Sequence, residues 1–173
     1  MAVLILGDTH IPERAEWLRK ELVDFFETES FELVVLTGDL TSRSVLSYFE
    51  KLGKVLAVRG NMDHLKLPDY CEFEFFGFKV GVIHGHQVYP RGNREILNEI
   101  AKEKGVDILV SGHTHAADVY FGEKILLNPG SATGAWGGGG GSLKPSFIIL
   151  KRNCVEVYEL DKDLFSVVYR LSR

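Results

Sequence analysis

Cysteine is too scarce in this chain to hold it together: Cys71 and Cys154 are its only two, far apart and outside any CxxC pattern. That excludes a disulfide framework and a thiolate metal site, and leaves both residues as small buried hydrophobes. Long apolar runs are missing as well. The opening MAVLILGDTH falls far short of the roughly 20 apolar residues that cross a bilayer, and neither a basic leader nor a small-residue cleavage site goes with it. No targeting signal is legible, so a cytoplasmic protein without membrane contact is expected. Basic residues are in the minority, with 20 Lys and Arg against 24 Asp and Glu and a formal net charge of −4. This argues against a broad basic surface that would coat nucleic acid or an anionic membrane, and leaves room for a small phosphate-bearing substrate. Bound cations would add positive charge that no residue count registers.

What is present reads as an ordinary globular chain. The 173 residues, 45% hydrophobic and 25% charged, suffice for one domain over residues 1–173 with its own core. Apolar, β-branched runs recur at residues 3–6, 33–36, 55–58, 80–83 and 108–110, each followed within two residues by a Gly or His. Runs without strict alternation suit strands covered on both faces.

Helical periodicity falls between these runs. Pro12 suits a first helical turn, and Leu18, Leu22, Phe25 and Phe26 then share one face. Ser42 or Ser44 is placed to cap a second helix through Leu46 and Phe49, ending near Gly53. A third runs from Arg94 to Lys104 and closes at Gly105. Past Gly112 the texture turns to hairpins, 119–121 with 125–127 and 147–150 with 155–160, followed by a last strand at 165–171. The expected fold is α/β: a four-layer α/β/β/α sandwich of two packed mixed sheets with flanking helices. The uninterrupted run Gly137 to Gly141 is expected to be a mobile surface loop, a flexible connector more readily than an active-site lid.

The chemistry lies in the loops after the strands. All six histidines, His10, His64, His84, His86, His113 and His115, fall there, in or beside the motifs GDTH, GNMD, HGH and GHTH, with Asp39 in a GD pair of its own. Singly, each piece has an ordinary explanation, since Asp and Asn cap turns after strands. Together, five strand ends present carboxylates, an amide and imidazoles, and the carboxyl ends of strands are where α/β sheets assemble ligand sites. Oxygen and imidazole donors without thiolates suit Mn²⁺, Fe, Co²⁺, Ni²⁺ or Zn²⁺. The donors outnumber the needs of one ion and match two ions roughly 3.5–4 Å apart.

The ordered set GDTH, GDL, GNMD, HGH, GHTH and Asn128-Pro129-Gly130-Ser131 resembles the calcineurin-like metallophosphoesterases, from Leu6 to about Leu150. Within them it is most similar to the small single-domain phosphodiesterases, whose relatives include the retromer's phosphoesterase-like scaffold subunit. The resemblance implies that Asp8, His10 and His115 hold one metal, that Asn61, His84 and His113 hold the other, and that Asp39 bridges them. Mn²⁺ or Ni²⁺ are the first expectation, ahead of Fe, Co or Zn.

Two further residues are candidates for catalytic work outside the cage: Asp63, which would orient a neighbouring ligand, and His86, a proton donor to the leaving group. The superfamily's protein phosphatases carry a histidine after the Gly-Asn, where this chain has Met62, so His86 is the first replacement and His64 the second. The reaction implied is in-line hydrolysis of a phosphodiester by a hydroxide held between the metals. Arg59, Arg91 and Arg94 lie near motif loops, either as phosphate ligands or as solvated surface charges. The residues that bind the rest of the substrate are not legible.

A metal-retaining scaffold of the same fold is the alternative, and intact donors at every expected position favour the enzyme. A nuclease is a further alternative, confined to short oligonucleotides by the lack of a basic, aromatic-interleaved tract. Related proteins often pair, which leaves a homo-oligomer open.

Overall fold

Alternation within the apolar runs decides the layers. In β1 (Ala2–Leu6), Val3 and Ile5 point to one face and Leu4 and Leu6 to the other, and all four are fully buried. A strand buried on both faces must be covered on both, and the computed structural model, which describes residues 1–138 and 144–172, shows what covers it.

The larger sheet has the order β11-β10-β9-β1-β2-β3. Its parallel strands β1, β2 (Leu33–Leu36) and β3 (Lys54–Ala57) pair in register, and β9 (Ser146–Lys151) runs antiparallel to β1. Beyond it, β10 (Cys154–Leu160) and β11 (Leu164–Arg170) complete a meander. The smaller sheet has the order β4-β5-β6-β8-β7. There β5 (Phe78–Ile83), β6 (Ile108–Val110) and β8 (Ile125–Pro129) are parallel, with β4 (Tyr70–Phe75) and β7 (Ala117–Phe121) antiparallel at the edges.

The two sheets meet through Val3, Ile5, Val35 and Ile148 on one side and Val80, Val82, Ile108 and Val110 on the other. On the outer face of the larger sheet, Leu4, Leu6 and Leu36 are covered by Leu22 and Phe26 of α1 (Lys20–Thr28) and Phe49 of α2 (Arg43–Glu50). On the outer face of the smaller sheet, Leu97 and Ala101 of α3 (Arg94–Lys104) pack on Leu109 and Leu126. The four-layer α/β/β/α sandwich expected from the sequence is the observed fold. Each fully buried aromatic, such as Phe26, Phe49 or Phe147, contributes about 1.5–3 kcal/mol by leaving water.

Ser42 caps α2 and Gly105 closes α3 as expected, and Asn93 adds a cap to α3 that was not expected. Ser42 Oγ accepts the N–H of Val45 at 3.4 Å, and Asn93 Oδ1 accepts that of Ile96 at 3.0 Å. Gly105 closes α3 in the left-handed region, at φ 66°.

Three expectations need correction. The first helix begins at Lys20, not at Pro12. Arg14 N–H bonds the carbonyl of His10 at 2.8 Å, but this single turn does not propagate; Ile11 is buried from within it and Leu18 from the irregular segment that follows. The strand β4 was not expected: its sequence YCEFEF alternates apolar and acidic residues, as suits an edge strand with one wet face. It turns into β5 through Phe76-Gly77, both at positive φ. The last strand ends at Arg170, one residue short of the expected end. Among the described residues no helix is long and apolar enough to cross a membrane.

Candidate metal centre

The parallel strands of both sheets release their chains into one cleft. The ends of β1, β2 and β3 deliver Asp8 and His10, Asp39, and Asn61 and Asp63, while β5 and β6 deliver His84 and His86, and His113 and His115. Backbone bonds tie these loops to one another: Asp8 N to Gly38 O at 2.9 Å, His10 N to Asp39 O at 3.0 Å and Gly112 N to His84 O at 2.8 Å. Gly38, at φ 98°, lets two loops touch, because a Cβ there would lie 2.6 Å from Gly60 N. Positive φ at non-glycine residues concentrates here: Asp8, His10, Asp39, Thr41, His113 and His115 all adopt it. Such conformations persist only where the surroundings enforce them, and they cluster at functional sites.

Two groups of donors result. Asp8, His10 and His115 offer ligand atoms within 4.8 Å of one another, and so do Asp39, His84 and His113. His10 Nε2 lies 3.2 Å from His115 Nε2, and Asp8 Oδ1 lies 3.6 Å from His115 Nε2. Asn61 Oδ1 joins the second group, 3.0 Å from His84 Nε2. Asp39 Oδ2 faces both groups, 3.5 Å from His10 Nε2 and 3.2 Å from His84 Nε2.

The surrounding groups choose the tautomers. His84 Nδ1 bonds the carbonyl of Thr37 at 2.8 Å, and His115 Nδ1 bonds that of Ala135 at 2.6 Å. A carbonyl only accepts, so each Nδ1 carries a proton, and Nε2 is the ring nitrogen that faces the cleft. Asp63 works on the backbone: Oδ2 accepts the N–H of Asp39 and of Gly60, both at 2.8 Å, and Oδ1 that of Thr41 at 2.9 Å.

The electrostatics fit cations. Asp8 is fully buried, and its Oδ1 has no hydrogen-bond partner. Burial pushes its carboxyl up to about 7. A buried carboxylate oxygen without a donor is costly, and a bound cation removes that cost. His10 and His113 are held down to about 4, by burial first, so both are neutral and able to ligate at neutral pH. Burial works against the Asp39 carboxylate, but His84, the Met62 N–H and His10 outweigh it and hold the group at about 2. The same Asp39, with Asp8, raises His84 against its burial.

Of the other residues singled out from sequence, His86 is exposed at the rim, its ring centroid 5.5 Å from that of His84 and 6.4 Å from that of His113. His64 is exposed and takes part in none of these contacts. Arg59 pairs with Asp69 and Arg94 with Asp118, whereas Arg91 lines the cleft. Sequence reasoning missed Arg14, which lines the same cleft; its one signal was its place a helical turn beyond His10. It also took Gly137 for part of a mobile loop. Gly137 lies flat on His115, where a Cβ would come within 2.7 Å of the ring, and its carbonyl accepts from Arg91 Nη1. Gly139 to Gly141 lie outside the described residues.

Residues 1–152 match the family model of the calcineurin-like phosphoesterase superfamily domain. A protein of Methanocaldococcus jannaschii named "Probable metallophosphoesterase" is 45% identical over 134 residues, 77% of this chain and 69% of that one. Vacuolar Protein Sorting 29 (Vps29) of Cryptosporidium parvum superposes with a TM-score of 0.94 at 29% identity, over 99% of this chain and 98% of that one. Wild-type Vps29 of Entamoeba histolytica, solved in complex with Zn²⁺, gives 0.89 at 32% identity, over 98% and 99%. A family match spanning most of the chain thus coincides with a cleft where buried carboxylates and imidazoles converge, and the chain belongs to the calcineurin-like phosphoesterase superfamily.

Proposed function

We propose that this chain is a metal-dependent phosphodiesterase for a small substrate, built as one phosphoesterase domain and working with two divalent cations. The observation that carries this reading is the shared oxygen of Asp39, which faces an imidazole nitrogen of each donor group at 3.5 and 3.2 Å. In this reading Asp8, His10 and His115 hold one cation, Asn61, His84 and His113 hold the other, and Asp39 bridges them. Mn²⁺ or Ni²⁺ are the first choice for such oxygen and imidazole donors, and the zinc complex of the Entamoeba relative supports Zn²⁺ as another. Two such ions, when bound, lower the pKa of a water and offset charge on the phosphoryl, entering and leaving oxygens.

The chain's own part is placement. His84 and His115 keep Nε2 aimed inward, free to ligate once deprotonated, because their Nδ1 protons are committed to carbonyls. Asp63 sets the backbone from which Asp39 projects. His86, exposed beside His84 and His113, is given the role of proton donor to the departing alcohol. A protein nucleophile is not required.

A scaffold role draws on the likeness to Vps29. The enzyme is favoured by donors at all seven ligand positions, two of them aspartates buried at 0% and 2% exposure, an arrangement that a scaffold does not need.

The test is Asp39→Asn in the full chain loaded with Mn²⁺, assayed on a chromogenic phosphodiester. Turnover should fall roughly 10²–10³-fold, with the circular dichroism spectrum unchanged. Hydrolysis at the parent rate would sink the reading. Anomalous scattering from the parent should show two adjacent peaks between these residues.

A further inference from the structure

Four arginines stand near the strand ends, and they divide by charge balance. Arg59 Nη2 lies 2.9 Å from Asp69 Oδ1, and Arg94 grips Asp118 through Nε and Nη2 at 3.1 and 2.7 Å. Both are neutralised. Arg14 and Arg91 line the cleft beside His10, Asp39 and His113, and among the described residues neither is in an ion pair with a carboxylate.

Each gives Nη1 to a backbone carbonyl instead, Arg14 to that of Trp136 at 2.8 Å and Arg91 to that of Gly137. These carbonyls are consecutive. Guanidiniums from two distant loops therefore pin one short strap, residues 135–137, onto the ring of His115.

A neutral carbonyl is a weak partner for a guanidinium. A phosphate ester offers charged oxygens in the planar, two-pronged spacing that the guanidinium fork matches. Each guanidinium also keeps N–H donors beyond the one given to the strap. Two unneutralised forks facing a cleft of about 60 Å³, lined by His10 and His115 of one donor group and Asp39 and His113 of the other, are complementary to one phosphoryl group.

We propose that Arg14 and Arg91 are the phosphate-binding pair of this cleft, and that phosphoryl oxygens replace the carbonyls of Trp136 and Gly137 as their acceptors, releasing the strap at those two residues while Ala135 stays on His115. The identity of the ligand as a phosphate ester rests on the phosphodiesterase reading; phosphate binding itself needs no turnover. Trp136, 65% exposed, rides on the strap and reports its state.

The experiment uses the full chain loaded with Mn²⁺ and carrying Trp17→Phe, which leaves Trp136 as the sole indole of the original two. Inorganic phosphate is titrated while Trp136 emission and its quenching by acrylamide are followed. The parent should show a saturable change. Arg14→Gln and Arg91→Gln should each weaken phosphate binding about tenfold or more, with metal content unchanged and with the KM for a chromogenic diester raised more than kcat is lowered. Arg94→Gln should leave phosphate affinity as it was. Failure of the parent to bind phosphate, undiminished affinity in both cleft variants, an equal loss in Arg94→Gln, or binding that leaves Trp136 unmoved would overturn the proposal. An intact phosphate response in a protein that hydrolyses no diester would count against the phosphodiesterase reading alone.

Discussion

Asp63 accepts the backbone N–H of Asp39 at 2.8 Å, from a position 8% exposed. The same carboxylate holds the N–H groups of Gly60 and Thr41, so one side chain sets two loops of the cleft. Asp63→Ala leaves three backbone donors without their acceptor. We expect a stability loss of about 3 kcal/mol and metal affinity lower by roughly 10–100-fold, read by thermal unfolding and calorimetric titration with Mn²⁺. Parent-like metal affinity would show that the Asp39 loop holds itself.

Asp8 makes the metal-free protein sensitive to pH. Its carboxyl is pushed up to about 7 by burial when folded, against an ordinary 3.8. A group raised in this way favours the folded state below the lower value, and that contribution is lost as pH rises through the upper one. Asp8→Asn removes the buried charge while keeping an acceptor for the His113 N–H. In chelator, the variant should match the parent near pH 4 and exceed its stability by roughly 3–4 kcal/mol near pH 8. Denaturant melts at the two pH values check this, and a stability difference independent of pH would refute it.

The role given to His86 predicts a dependence on leaving group. An alkyl alcohol needs a proton as it departs, and 4-nitrophenolate does not. His86→Gln should therefore lower kcat/KM for an alkyl diester by roughly 10²-fold and leave a bis(4-nitrophenyl) diester nearly untouched. Equal losses on both substrates would remove His86 from that role.

Gly137→Ala tests the close approach over His115. The added methyl would lie 2.7 Å from the imidazole, so ring or strap must move. We expect bound metal, counted by elemental analysis, to fall from two equivalents toward one. Two retained equivalents would mean that the strap gives way and His115 does not.

Much of this was legible before folding. The apolar runs at β1, β2, β5 and β6 are buried on both faces, and such strands leave an unbroken hydrophobic mark in the sequence. The edge strand β4 left an alternating one, which a search for continuous runs passes over. The donors were legible because Asp, Asn and His after strand after strand have no common cause in turn-capping, and the structure gathers all seven, Asp8, His10, Asp39, Asn61, His84, His113 and His115. Arg14 was not, because an arginine in a polar segment looks like any solvated cation until its distance from Trp136 is known. The start of α1 was misplaced because Leu18 keeps helical spacing with Leu22 while being buried from irregular chain.

The origin of the ligand loops has a mechanical side. Asp8, His10, Asp39 and Asn61 hang from the larger sheet and His84, His113 and His115 from the smaller, so each donor group spans the seam between the two leaves of the sandwich. A cation in either group is a rivet through that seam. Shear of one leaf against the other would distort both donor groups together, and a cation held in either group would resist it.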